Sequence, residues 1–111
     1  MLITKEELER ELANRCGSTA VKRLQQARVA VVGLGGLGSN ITIMLSRMGV
    51  GHLHLIDFDR VDVSNLHRQQ YFVKQVGLFK TEALANTLRK INPYIDLELS
   101  CVKLDDSNLV D

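Results

Sequence analysis

Arg28-Val29-Ala30-Val31-Val32-Gly33-Leu34-Gly35-Gly36-Leu37-Gly38 is the stretch on which the fold turns. After Arg28 the next four residues form an apolar, largely β-branched run with no polar alternation. That is the pattern of a parallel strand covered on both faces, so a central strand is expected over 28–32. Glycines at 33, 35 and 38 then match G-x-G-x-x-G immediately before a helical pattern. Gly33 permits the tight turn, Gly35 lets phosphate approach the backbone, and Gly38 allows close packing of helix on strand. A helix starting there offers unpaired N–H groups and a partial positive charge to an anion. Glycines that merely relieve a strand-to-helix turn would not need this full spacing in this context.

Downstream, Leu37, Ile41, Met44, Leu45 and Met48 follow at helical spacing, and Gly49 and Gly51 end that helix. Met44 and Met48 on this stripe are expected to pack into the core. The second strand is read over His52 to Ile56, ending at Asp57. Thr81 to Ile91 carries Leu84, Leu88 and Ile91 on one helical face, and Asn92-Pro93 stops it. Ile95 to Val102 alternates Ile95, Leu97 and Leu99 with Asp96, Glu98 and Ser100, as a strand with one solvated face does. Right-handed crossovers then give a parallel sheet in the order 3-2-1, an incomplete half of a doubly wound α/β fold. The alternating third strand suits an edge. The apolar first strand calls for a neighbour on its other side, supplied by more chain or by a second copy.

Upstream, Thr4 and Glu7 form a capping box, with Ile3 and Leu8 as a hydrophobic staple, so a short helix is expected from Lys5 to about Ala13. Leu8 and Leu12 need a partner surface. Gly17 breaks this helix, and Ser18 or Thr19 is placed to cap a second one running to about Gln26. The chain thus divides into a helical segment, 1–27, and a nucleotide-binding half-domain, 28–111, read as truncated.

Composition narrows the class. Of 111 residues, 45% are hydrophobic and 24% charged, as in one globular domain. A net charge of +1 provides no field for nucleic acid or an anionic membrane, and no apolar run approaches a membrane span. The N-terminus lacks the form of a signal peptide, and Cys16 and Cys101 stand far apart without a C-x-x-C pair. Reduced thiols, buried or inert, and a cytoplasmic location are the expectation.

Asp57 lies 19 residues after Gly38, where a carboxylate can accept hydrogen bonds from ribose hydroxyls. At this point NAD and ATP are equally supported. The next segment separates them, because Asp59, Asn65, Arg68 and Gln69 crowd one polar loop beside the turn, and Lys80 follows. Arg68 can grip phosphate oxygens through its planar fork, Asn65 and Gln69 can hold it or the ligand, and Lys80 adds a mobile point charge.

Gly33-x-Gly35-Gly36-x-Gly38, Asp57-x-Asp59, Ser64-Asn65-Leu66-x-Arg68-Gln69, Gly77-x-x-Lys80 and Ile91-Asn92-Pro93 together resemble, in order and spacing, the ThiF/MoeB/E1 superfamily of ubiquitin-like-protein activating enzymes. The resemblance covers roughly Ala27 to Val102 and looks closest to the small ThiF-type proteins of thiamine biosynthesis. It implies a Rossmann-like fold, and MgATP-dependent adenylation of the C-terminal carboxylate of a small ubiquitin-like sulfur carrier, releasing pyrophosphate. By similarity, Gly33, Gly35, Gly36 and Gly38 would cradle the nucleotide and Asp57 would hold the ribose. Asn65, Arg68, Gln69 and Lys80 would surround the phosphates, with Arg68 and Lys80 as the catalytic pair and Asp59 organising the cluster. A homodimer is implied as well. The family's magnesium-binding Asp and any thioester or zinc cysteines come later than residue 111, so this stretch alone is not expected to catalyse efficiently. The family's N-terminal arginine motif is not recognisable here.

Other signals are read as structural. His52 and His54 share one side of a strand, but two ligands without a third do not make a metal site. Gly77-Leu78-Phe79-Lys80-Thr81 lacks the earlier glycine of a Walker loop. Tyr71, Phe72 and Phe79 either line a substrate-tail channel or pack beneath the polar loop. The rival functions are an NAD-dependent oxidoreductase and a non-catalytic nucleotide-binding module.

Overall fold

The computed structural model describes residues 3–105. In chain order the elements are α1 (Lys5–Cys16), α2 (Ser18–Gln26), β1 (Arg28–Val32), α3 (Gly36–Met48), β2 (His52–Ile56), α4 (Lys80–Ile91) and β3 (Asp96–Ser100), with single 3-10 turns at Val63–Asn65 and Val73–Gln75. The strands form one parallel sheet ordered β1-β2-β3, in the register Val31, Leu55, Leu99. The expected α/β topology is therefore present, and the long polar stretch between β2 and α4 contains only the two short turns.

Alternation along the strands sends Val29, Val31, Leu53, Leu55 and Leu97 to one face. There Leu84 and Leu88 of α4, with Leu34 from the turn after β1, close the core. The opposite face carries Arg28, Ala30, His52, His54, Asp96 and Glu98. His52 Nδ1 lies 2.9 Å from Asp96 Oδ2 and His54 Nε2 lies 2.7 Å from Ser100 Oγ, so both histidines are tied across to β3. β1 was expected to be central and covered on both faces. Among the described strands it pairs only with β2, and Val32 is 58% exposed, so its apolar character is half used and β2 is the central strand.

α3 differs from expectation in which side it buries. Its inner face is Gly38, Ser39, Thr42 and Ser46, whereas Leu37, Met44 and Met48 are exposed. Close approach decides this. A Cβ at Gly38 would overlap the Gly33 carbonyl, so the helix sits hard against the end of β1 and only small side chains fit along that line. Thr42 Oγ1 is buried at no loss of bonding because it donates to Ser39 O at 2.8 Å. Gly49, in the left-handed region at φ 96°, ends the helix with its N–H on the Leu45 and Ser46 carbonyls.

The N-terminal helices seat at the other end of the sheet. Thr4 Oγ1 accepts the Glu7 N–H at 3.1 Å and starts α1. Contrary to expectation neither Ser18 nor Thr19 caps α2: Gly17, at φ 89°, occupies the cap position without a side-chain bond, and Ser18 is already helical. Gly51 N–H donates to Leu24 O at 3.0 Å, and a Cβ at Gly51 would overlap the Gln25 carbonyl. The end of α2 thus lies directly on the start of β2. Both cysteines are exposed rather than buried. No helix among the described residues is long and apolar enough to cross a membrane.

Gly51→Ala must push α2 off the sheet, and overpacking of this kind costs about 1–3 kcal/mol. A urea titration is expected to show a lower midpoint with an unchanged slope. A midpoint equal to that of the parent would mean that α2 is not seated here.

Candidate functional site

The C-terminal ends of β1 and β2 meet at one carboxylate. Gly33, at φ 85°, turns the chain out of β1 while its N–H still donates to Ile56 O at 2.8 Å. Asp57, at the end of β2 and buried, then accepts the Leu34 N–H on Oδ2 at 2.6 Å and the Asp59 N–H on Oδ1 at 2.7 Å. Its two oxygens therefore shape both the glycine turn and the entry to the polar loop. Each oxygen retains acceptor capacity for a ligand hydroxyl.

The polar loop is stitched to the turn and to α3 by its backbone. Gln70 N–H donates to Ser39 Oγ at 3.2 Å and Gln70 Nε2 to Asn40 Oδ1 at 2.7 Å, while Asn40 Nδ2 donates to the Gly36 and Arg68 carbonyls. A Cβ at Gly36 would stand 3.8 Å from Arg68 O, and one at Gly35 3.9 Å from Gln69 Nε2. The loop thus lies on the glycines. Gln69 is buried, and its Oε1 has no hydrogen-bond partner. Such an acceptor is costly unless a ligand supplies a donor.

A cavity of about 380 Å³ opens at this junction. Gly33, Gly35, Asp57, Asp59 and Lys80 form its polar side, and Val32, Phe58, Val102 and Leu104 its apolar side. Lys80 is only 6% exposed and forms no ion pair among the described residues. Its backbone N–H donates to Asp59 O at 3.0 Å where α4 begins, which ties the start of that helix to the polar loop. A cation lining a partly enclosed cavity offers an anion a less screened partner than one in open solvent. A second cleft of about 250 Å³, between α1 and the start of β2, holds no comparable charge; there Lys5 and Glu9 face each other at 3.9 Å.

Of the sequence candidates, Gly33, Gly35, Asp57, Asp59 and Lys80 therefore share one cavity, and Gln69 adjoins it at Gly35. Gly36 and Gly38 lie in the first turn of α3, where Gly38 packs on Gly33 instead of lining the cavity. Asn65 uses its Oδ1 to accept the Asp62 N–H at 3.0 Å, capping the 3-10 turn. Arg68 is exposed, with its backbone over Gly36 and its side chain outside the cavity lining. Sequence reasoning missed Phe58, Val102, Lys103 and Leu104; the last three follow β3, and parallel topology alone carries them to this edge. Lys103 Nζ stands 5.7 Å from the centre of the Phe58 ring.

The aromatics after Gln69 divide. Tyr71 is buried and its hydroxyl donates to Leu34 O at 2.6 Å, whereas Phe72 is exposed. Phe79 packs under the Arg60 guanidinium at 3.9 Å. Burial, reinforced by the nearby Asp57 carboxylate, pushes the Tyr71 phenol well above its ordinary pKa, so it remains a neutral donor. No group of three or more His, Cys, Asp or Glu able to hold a metal occurs among the described residues, and Asp57 and Asp59 do not by themselves form a magnesium site.

The sequence that builds this site matches a known class. A model of the ThiF family matches residues 8–111. The chain belongs to the ThiF family. It is 44% identical over 78 residues to the ubiquitin-like modifier-activating enzyme 5 of Caenorhabditis elegans, covering 70% of this chain and 19% of that one. It is 43% identical over 96 residues to the probable adenylyltransferase/sulfurtransferase MoeZ of Mycobacterium tuberculosis, covering 86% of this chain and 24% of that one. In structure it is similar to E. coli tRNA N6-threonylcarbamoyladenosine dehydratase, TcdA, in complex with ATP, with a TM-score of 0.88 at 33% identity over 97% of this chain and 46% of that one. E. coli MccB with ATP aligns with a TM-score of 0.77 at 32% identity, over 82% of this chain and 28% of that one. The ThiF-family chain described here thus spans less than half the length of each of these relatives. A modifier-activating enzyme and an adenylyltransferase among its relatives agree with the superfamily resemblance drawn from the motifs.

Asp57→Asn turns an N–H donor toward one of the two backbone N–H groups that the carboxylate now accepts. Leaving a buried donor unpaired costs about 1–3 kcal/mol. Thermal unfolding without nucleotide is expected to show that loss, with faster amide exchange at Leu34 and Asp59. A variant as stable and as protected as the parent would remove Asp57 from its place at the junction.

Proposed function

We propose that this chain is the nucleotide-binding part of an ATP-dependent adenylyltransferase that activates the C-terminal carboxylate of a small ubiquitin-like sulfur-carrier protein. The observation that carries the reading is Lys80, mostly buried and in no ion pair among the described residues, on the same cavity as the glycine turn. A cation and a backbone N–H converging on one cavity suit a polyphosphate, and the ATP and AMP complexes of TcdA support a nucleotide ligand.

In the reaction, a carboxylate oxygen forms a bond to the α-phosphorus of ATP and the bond to the β-phosphate bridging oxygen breaks, releasing pyrophosphate. Anion approaches anion, so the site must offset repulsion and the charge that builds in the transition state. Lys80 and the first N–H groups of α3 do this from fixed positions. Asp57 accepts from the ribose, and the apolar side at Val32, Phe58 and Leu104 takes the base. Arg68 and Gln69, carried by the loop that lies on the glycine turn, complete the phosphate side, Asn65 braces that loop, and Asp59 orders the cations. The described residues do not complete a magnesium site, and no step above is assigned to the ion that accompanies ATP.

The finer assignment, to a ThiF-type enzyme of thiamine biosynthesis acting as a cytoplasmic homodimer, rests on the motif resemblance alone. The relatives bear on adenylation, and their printed activities range from modifier activation to tRNA modification. An NAD-dependent oxidoreductase would use the same Asp57 for its ribose but has no use for a buried lysine beside the turn. A non-catalytic nucleotide-binding module would use the lysine and show no exchange.

Titration with ATP and with NAD separates the first two: ATP is expected to bind, and Lys80→Ala to weaken it. In the longest natural form of the protein, carrier-dependent exchange of pyrophosphate into ATP is expected to fall by about 10²-fold in Lys80→Ala and by a similar order in Arg68→Ala, the scale of a lost transition-state charge contact. Exchange rates unchanged in both variants would defeat the roles given to Lys80 and Arg68, absence of carrier-dependent exchange in the parent would defeat the adenylation reading, and NAD binding indifferent to Lys80→Ala would favour the oxidoreductase.

A further inference from the structure

Leu34 is held from both sides. Its N–H donates to Asp57 Oδ2 at 2.6 Å, and its carbonyl accepts the Tyr71 hydroxyl at 2.6 Å. The second bond bears on the next residue. The Leu34 carbonyl and the Gly35 N–H belong to one trans peptide plane and point in opposite directions, so whatever fixes the carbonyl also fixes the N–H. The Leu34 carbonyl is drawn into the protein by Tyr71, and Gly35 lines the cavity with its N–H accepted by no group among the described residues.

Nothing local would hold this plane otherwise. Glycine flanks Leu34 at 33 and 35, and Gly36 follows, so a peptide flip meets little steric resistance on either side. The hydroxyl that prevents it comes from far along the chain, and Tyr71 is itself anchored. Its N–H donates to Gln69 O at 2.9 Å, and Gln70 is bonded to Ser39 and Asn40 of α3. Burial keeps the phenol protonated, so it donates at every pH near neutrality.

We propose that Tyr71 is a positioning residue: its hydroxyl aims the Gly35 N–H into the cavity and couples the glycine turn to the polar loop that carries Gln69. The ligand measured below rests on the nucleotide reading of the preceding subsection; the amide measurement does not. Tyr71 touches no substrate in this arrangement. It acts through the peptide that does.

Tyr71→Phe keeps the ring and its packing and removes only the hydroxyl. In the 111-residue chain, the expected result is a changed amide shift and faster exchange at Gly35, with the amides of β2 and of Leu84 to Leu88 unaltered. ATP affinity should fall about tenfold, the scale of one hydrogen bond, while adenosine affinity stays at the parent value. Gly35 amide behaviour identical to the parent overturns the proposal whatever ATP does. Equal losses for ATP and adenosine overturn the aiming role and leave Tyr71 as packing. Should the parent bind no ATP, the nucleotide reading fails while the Gly35 amide still decides the role of Tyr71. Should Tyr71→Phe not fold, the hydroxyl proton of the unsubstituted protein decides: slow exchange at Tyr71 supports the bond to Leu34, and exchange at the rate of a free phenol overturns it.

Discussion

Two backbone N–H groups, from Leu34 and Asp59, converge on the Asp57 carboxylate, and the site is arranged around that convergence. The bonds join segments that are 23 residues apart in sequence at Leu34 and adjacent at Asp59, so a single side chain sets the direction of the turn after β1 and of the loop after β2. Charge-assisted bonds of this kind are about twice as strong as neutral ones. Because both oxygens are engaged within the protein, the carboxylate is oriented before any ligand arrives. Preorganisation matters most where a second anion must approach, since the site then loses no binding free energy to turning its own groups.

What could be read from the sequence follows from how local each signal is. Strand, glycine turn and helix are consecutive, their spacing is set by backbone geometry, and Gly33 and Gly38 have the roles that spacing implies: one takes positive φ, the other permits contact. Burial is a different matter, because it depends on what lies across from a face. The apolar runs of β1 and α3 were correctly read as strand and helix. Their exposure was not, since Leu37, Met44 and Met48 look like core while Gly38, Ser39, Thr42 and Ser46 are the residues small enough to touch the sheet. The same limit applies to Val102, Lys103 and Leu104, which carry no motif and reach the cavity only because parallel strands end together. Tyr71 was assigned to packing or to a channel with no ground for choosing. Its bond to Leu34 spans 37 residues and has no sequence signature.

The two ends of the sheet have separate tasks. At the N-terminal ends of the strands, α2 meets β2 through Gly51 with no room for a side chain, and the contact serves stability. At the C-terminal ends, polar groups are left without a partner among the described residues: Gln69 Oε1 and the Gly35 N–H. Each costs free energy in the empty protein, and in a chain of this size such losses are a considerable fraction of total stability. A tightly seated far end lets the near end carry them.

Lys80 and Arg68 divide the cationic work by exposure. Lys80 lies mostly buried along the cavity at the start of α4, where a charge is less screened than in open solvent. Arg68 has its backbone tied over Gly36 while its side chain stays in water, which leaves the guanidinium free to meet whatever projects from the cavity. Its charge is weakly felt there until a ligand excludes solvent, and its planar fork then suits two oxygens at once. The two cations therefore differ in setting, one lying along the cavity at the start of α4 and the other in solvent beside the glycine turn.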